Sequence, residues 1–264
     1  GTARSSDSST NGARHRPARK DIQTVLARSG LRYITTLSAD SSSDQITIAK
    51  QKPEVRLDFS AIAKGYAVDR VYLALWREYR PQSLMVEIGG EVRVGPSRTE
   101  NRAVESNLSG PWRIGIERPE YQNQRTLYRV ALLADRAMAT SGNYRDYFVA
   151  DGELYAHIID PRSGFPADSR VASATVIGPN CMTADGLATA LMVLPPLKGL
   201  RLIESMKDYD AMILIGERAD AQEASDRQDR QQIGDYSPTD YIDPAEGNRA
   251  YTVYNTKGMG LYLE

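Results

Sequence analysis

Apolar positions along the chain change period several times, and each change marks an element. Between 61 and 79, Val68, Val71, Tyr72 and Leu75 recur at the i, i+3, i+4, i+7 spacing of a buried helical face, and Ala61 and Gly65 extend that face toward the N-terminus. MTADGLATALMVL (182–194) repeats the helical period through Leu187, Ala190, Leu191 and Leu194 and stops at Pro195-Pro196. A shorter helix is expected in DIQTVLARSG (21–30), ended by Gly30. RYITTLSA, QITIAK, PWRIGIERP, TLYRVALLA, ELYAHIID and VASATVIG are short, β-branched runs that predict strands. SLMVEI and EVRVG flank Gly89-Gly90, the signature of a tight hairpin. Turns are expected at Ser141-Gly142 and at DPRSG (160–164). LIESMKDYDAMILIG (202–216) predicts a helix and a strand, and AYTVYNTKGMGLYLE one or two closing strands. Many strands, few helices and no regular βαβ alternation point to an α+β fold of mixed or antiparallel sheets with packed helices.

Two stretches lack any apolar period. Residues 1–18 are polar and rich in Ser and Arg, and such a composition predicts a disordered tail. Residues 216–249 carry few large aliphatics and read as a polar insertion, either a surface loop or a charged helix followed by one. The remainder, 19–264, is expected to form the folded domain.

Composition adds exclusions. Apolar residues are 41% and charged residues 25% of 264, ordinary for a globular protein, and the formal net charge of -1 offers no field for nucleic acid. One cysteine, Cys181, rules out an intrachain disulfide and a cysteine-based zinc cluster. Two histidines, His15 and His157, are too few for a multi-histidine metal site. No run is long and apolar enough to cross a bilayer as a helix, and no signal peptide is visible.

Candidate chemistry gathers at the helices. Asp185 and Thr189 are four apart, so one helix face carries a carboxylate above a hydroxyl. Such oxygens suit a hard cation, and magnesium needs only one or two carboxylates beside water and phosphate. The plainer reading is a carboxylate that favours the helix N-terminus and a packed threonine. Asp58 and Ser60 precede the 61–79 helix as candidate N-caps, and Lys64 lies one turn in. That helix start suits an anion, whereas the plainer reading leaves Lys64 solvated. His157 shares a strand face with Tyr155 and Ile159 and is either structural or an acid–base group. Cys181 reads as a buried, inert thiol.

Five collinear segments, LDFSAIAKGYAVDRV, LMVEIGGEVRVG, ATSGNYRDYF, HIIDPRSGFP and TVIGPNCMTADGLATALMVL, together resemble the ApbE-type FAD:protein FMN transferases over roughly residues 20 to 215. The resemblance implies a magnesium-dependent transfer of the FMN half of FAD to a threonine hydroxyl of a target flavoprotein, with release of AMP. Some relatives instead hydrolyse FAD to FMN and AMP, and a non-catalytic flavin-binding relative is a third reading. By the same resemblance, Asp185, Thr189 and the Ala61 main-chain carbonyl hold the metal. Asp58 and Lys64 contact FAD, and His157 lies near the flavin or pyrophosphate. His157 or an aspartate takes the acceptor proton. The implied partner is a flavoprotein subunit of a membrane redox complex. The implied location is the periplasm or the outer face of the bacterial inner membrane, often as a lipoprotein. Family members carry a further segment before the first helix, so the resemblance also implies an N-terminally incomplete flavin transferase domain.

Overall fold

The computed structural model describes residues 18–37, 46–96, 110–119, 126–142, 147–150, 153–156, 158–167, 171–216, 239–242 and 250–264. In chain order its elements are α1 (Arg19–Leu26), β1 (Ile34–Leu37), β2 (Thr47–Lys50), α2 (Ser60–Tyr79), β3 (Met85–Ile88), β4 (Glu91–Val94), β5 (Trp112–Glu117), β6 (Leu127–Leu133), β7 (Arg136–Gly142), β8 (Tyr147–Ala150), β9 (Glu153–Ala156), β10 (Val171–Gly178), α3 (Cys181–Leu191), α4 (Pro196–Glu204), β11 (Asp210–Gly216), β12 (Thr239–Ile242) and β13 (Ala250–Asn255). These form two compact units, Gly1–Val55 with Tyr147–Pro166, and Arg56–Asp146 with Ala167–Glu264.

The first unit holds α1 and two antiparallel ribbons, β1–β2 and β8–β9. Its turn at Asp160 is closed by Gly164 N–H donating to the Asp160 carbonyl at 2.8 Å, and Gly164 takes a left-handed φ of 73°. The Arg162 guanidinium forks onto the Asp160 carboxylate and holds that carboxyl below its usual range.

The second unit is built on a seven-stranded sheet in the order β12-β13-β11-β10-β7-β4-β3, with every described pair antiparallel. β10 is buried along its whole length, because both faces of the sheet are covered there. On one face the β5–β6 hairpin packs Ile116, Ala131 and Leu133 against Val92, Val94, Met138, Met212 and Leu214. On the other, Val68 and Tyr72 of α2 and Cys181 of α3 pack with Val86 and Ala137. Antiparallel pairing of consecutive strands and helices laid on one face are the marks of an α+β layer fold.

Gly89 and Gly90, with φ of 62° and 102°, make the β3–β4 hairpin. Both central positions of that turn require positive φ, which glycine adopts without a Cβ clash.

The structure differs from the sequence reading at several points. Val71 is 43% exposed and Ala61 is exposed, while the buried stripe of α2 runs through Gly65, Val68, Asp69 and Tyr72. In α3 the buried residues are Cys181, Ala184, Asp185, Ala188 and Leu191, so Asp185 lies on the inner face and Leu187 and Ala190 only partly so. The helix turned because its neighbour α2 offers a donor to Asp185, as described below. Ser141-Gly142 is the end of β7 and pairs with β10, where a turn was expected. β8 was not anticipated as a strand. β12 falls inside the 216–249 stretch and pairs with β13 as an edge strand, and Gly216 ends β11; residues 217–238, 243–249 and 1–17 lie outside the described residues.

α2 and α3 approach closely at Gly65. A Cβ on Gly65 would collide with the Cys181 carbonyl oxygen and come within 2.8 Å of Asp185 Cβ. Backbone cannot yield as a flexible side chain can, so overpacking here is costly. Gly65→Ala is expected to destabilise the chain by about 2 kcal/mol or more, measured as a lowered urea midpoint at unchanged m-value. A midpoint equal to that of the parent would show that the helices are free to separate.

Candidate active site

The site grows from the seam between α2 and α3. The Asp185 carboxylate, 3% exposed, accepts the Gly65 backbone N–H on Oδ2 at 2.9 Å. In a regular α-helix that N–H serves the carbonyl four residues back, which is Ala61. The Ala61 carbonyl therefore shares its donor with Asp185 or goes without it. One turn beyond Asp185, Thr189 Oγ1 lies 3.2 Å from Ser141 Oγ of β7.

Beside this seam sits a residue the sequence reading passed over. Glu91, the first residue of β4, is 1% exposed. Its Oε1 accepts Lys64 Nζ at 2.7 Å, while Oε2 has no hydrogen-bond partner among the described residues. Burial raises the Glu91 carboxyl above its usual range, the lysine lowers it, and the Asp185 charge raises it further. Desolvation wins over the ion pair, as expected when one partner is half-exposed and the other is not. Asp185 is also raised, first by burial, with the Gly65 N–H and Lys64 opposing.

Asp69 was likewise missed, although it interrupts an apolar stripe four residues after Gly65. Its Oδ1 accepts Arg93 at 2.6 Å and Cys181 N–H at 3.0 Å, and its Oδ2 accepts Met182 N–H at 2.9 Å. With Asn180 Oδ1 receiving Thr183 N–H at 2.9 Å, the open donors at the start of α3 are satisfied. The carboxylate that favours this N-terminus is thus Asp69, and Asp185 is left for another use. Cys181, buried between these carboxylates, has its thiol pushed up by burial and by the charges of Asp69, Glu91 and Asp185, so it is no nucleophile.

The other expected site residues divide. Asp58 is exposed; its Oδ1 accepts the Ser60 hydroxyl at 2.6 Å and the Ser60 N–H at 2.8 Å, and these bonds hold its carboxyl below the usual range. The helix N-cap itself is Phe59, with Asp58 one residue before it. Lys64 is not simply solvated, because Glu91 holds it. Ala61 and Ala63 are exposed at the α2 start, and Gly65 is the close-packed small residue. His157 lies outside the described residues.

These groups set the charge and the chemistry. Among the described residues, Asp69, Glu91 and Asp185 face two cations, Arg93 and Lys64, so the cluster carries one more acidic than basic side chain. Among the described residues, no three His, Cys, Asp or Glu side chains stand together as a metal cluster. The Asp185 carboxylate and the Thr189 hydroxyl, with a main-chain carbonyl such as that of Ala61, are oxygen donors of the kind that would suit a hard cation such as magnesium, which keeps several waters. The fold and site together define an α+β domain whose buried Asp185 lies beside the exposed start of a lysine-bearing helix, and such a helix start suits phosphates.

The comparisons agree with that class. The ApbE family model matches residues 4–213, and the chain belongs to the ApbE family. It is 39% identical over 205 residues to the FAD:protein FMN transferase of Haemophilus influenzae, covering 77% of this chain and 56% of that protein. Against the protein of the same name from Vibrio cholerae it is 39% identical over 189 residues, 72% of this chain and 52% of the relative. The solved flavin transferase ApbE from Vibrio cholerae superposes with a TM-score of 0.66 at 29% identity, covering 94% of this chain and 63% of the other. The chain thus spans a little over half the length of these curated relatives.

Two outcomes follow from the geometry. Asp69→Ala leaves Arg93 unpaired and strips two N–H groups of their acceptor; a loss of about 3 kcal/mol is expected, read by chemical unfolding. Asp185 binds its proton more tightly folded than unfolded, so its contribution to stability falls as pH rises from the ordinary carboxylate range through its raised value. Asp185→Asn should therefore match the parent in acid and melt higher than it at neutral pH without divalent cation. A neutral-pH melt below the parent's would contradict the raised carboxyl.

Proposed function

We propose that the chain carries out magnesium-dependent transfer of the FMN moiety of FAD to a threonine hydroxyl of a target flavoprotein, releasing AMP. The observation that carries this reading is the pairing of Asp185 with Gly65 in the second turn of α2, a buried carboxylate beside Lys64 in a chain of the ApbE family. The relatives' names supply the flavin and the protein acceptor.

Asp185, Thr189 and the Ala61 carbonyl are the residues that would hold magnesium, which supplies charge neutralisation on the phosphates. Lys64 adds a positive charge on the same side, and Asp58 stands at the helix entrance as a further FAD contact. In the transfer, the acceptor oxygen forms a bond to the FMN phosphorus as the phosphoanhydride bond breaks, and AMP departs with the electron pair. The hydroxyl proton passes to a base, for which His157 is the candidate on the resemblance. Phosphoryl transfer asks for positioning and electrostatic stabilisation more than for a protein nucleophile, and this site offers the former. The acceptor is proposed to belong to a membrane redox complex, with the chain in the periplasm or at the outer face of the inner membrane, on the family resemblance. No helix among the described residues is long and apolar enough to cross a membrane.

The test is incubation of the chain with FAD and magnesium, with and without a threonine-bearing acceptor peptide. AMP together with a peptide heavier by one FMN is expected, and Asp185→Ala, folded by circular dichroism, is expected to give neither. AMP with free FMN and unmodified peptide would make the chain an FAD hydrolase. Full activity in Asp185→Ala would overturn the metal assignment.

A further inference from the structure

Among the described residues, Glu91 is the one carboxylate of the cluster with a fully buried oxygen that has no hydrogen-bond partner. A buried carboxylate on a strand end normally has both oxygens satisfied, since each lost partner costs a desolvation penalty. Here Oε1 takes Lys64, Oε2 takes nothing among the described residues, and the side chain is 1% exposed. Gly89 of the hairpin turn lies against both side chains: a Cβ there would be in van der Waals contact with Lys64 Cδ at 3.4 Å and Glu91 Oε2 at 3.8 Å. Consecutive residues of α2 tie the two carboxylates together, because Lys64 holds Glu91 and Gly65 holds Asp185. Their charges act on one another and on Cys181 between them. Among the described residues, Lys64 is the cation that offsets Glu91 and Asp185, since Arg93 is taken by Asp69.

We propose that Glu91 is a positioning residue of the cation site: Oε1 holds Lys64 beside Asp185, and the carboxylate supplies the second negative charge that draws a divalent cation to Asp185 without ligating it. This rests on the reading of Asp185 as a metal ligand. Groups just outside a metal's ligands typically change its affinity ten- to a hundred-fold when replaced. Glu91 would act in that way through its charge, and Lys64, held on its Oε1, would oppose the cation until an anionic ligand engages the lysine. The two residues therefore have opposite effects on cation binding.

The experiment is titration of the 264-residue chain with Mn2+ as the probe, without FAD, followed by electron paramagnetic resonance of the free ion. The parent is expected to bind one Mn2+. Glu91→Gln, which keeps the shape and removes the charge, is expected to weaken binding about ten-fold, and Lys64→Met is expected to bind as tightly as the parent or tighter. Glu91→Met serves in place of Glu91→Gln if the glutamine variant does not fold. Equal affinity in the parent and Glu91→Gln overturns the proposal while leaving the Asp185 site standing. Weakening by the same factor in Glu91→Gln and Lys64→Met also overturns it, because Glu91 would then act only as an anchor for the lysine. A parent that binds no Mn2+ overturns both this proposal and the metal reading beneath it.

Discussion

The Gly65 N–H to Asp185 hydrogen bond lies at the point where two helices come closest, and the candidate site is arranged around it. Only a glycine lets α2 approach the Cys181 carbonyl and Asp185 Cβ as it does. That approach turns Asp185 inward on α3 and gives it the Gly65 N–H, the donor that a regular helix offers to the Ala61 carbonyl. Thr189 follows from Asp185 by helical spacing, one turn along the same side.

The seam is held from its far end by Asp69. One carboxylate binds Arg93 of β4 and the first two N–H groups of α3, so a helix, a strand and a helix start share a single anchor. This division of labour matters for the chemistry. Because Asp69 and Asn180 satisfy the α3 N-terminus, that end is closed to an outside anion, whereas the α2 start stays exposed at Phe59, Ala61 and Ala63. Under the proposed reading, a cation would lie on the Asp185 side and phosphate on the Lys64 side.

Much of the scaffold could be read from apolar period. The α2 and α3 helices, the Gly89-Gly90 hairpin and the buried β10 run all stand out because each is a local pattern with a local cause. Asp185, Thr189 and Lys64 were legible as candidates for the same reason, being at helical spacing or at a helix start. Glu91 and Asp69 were not, because their roles depend on contacts 27 and 112 residues away in the chain. The orientation of α3 also escaped a reading that sorted residues by polarity, since a carboxylate was assumed to face outward. Ser141-Gly142 was taken for a turn on composition, but strand pairing with β10 overrode it.

The central claim is that the α2–α3 seam forms a cation site at Asp185. Anomalous diffraction from crystals of the chain grown with Mn2+ tests it most directly. The account predicts one strong peak within bonding distance of the Asp185 carboxylate, with the Thr189 hydroxyl and the Ala61 carbonyl oxygen in its coordination sphere. A fully occupied ion bound elsewhere, with Asp185 still bonded only to Gly65, would contradict it.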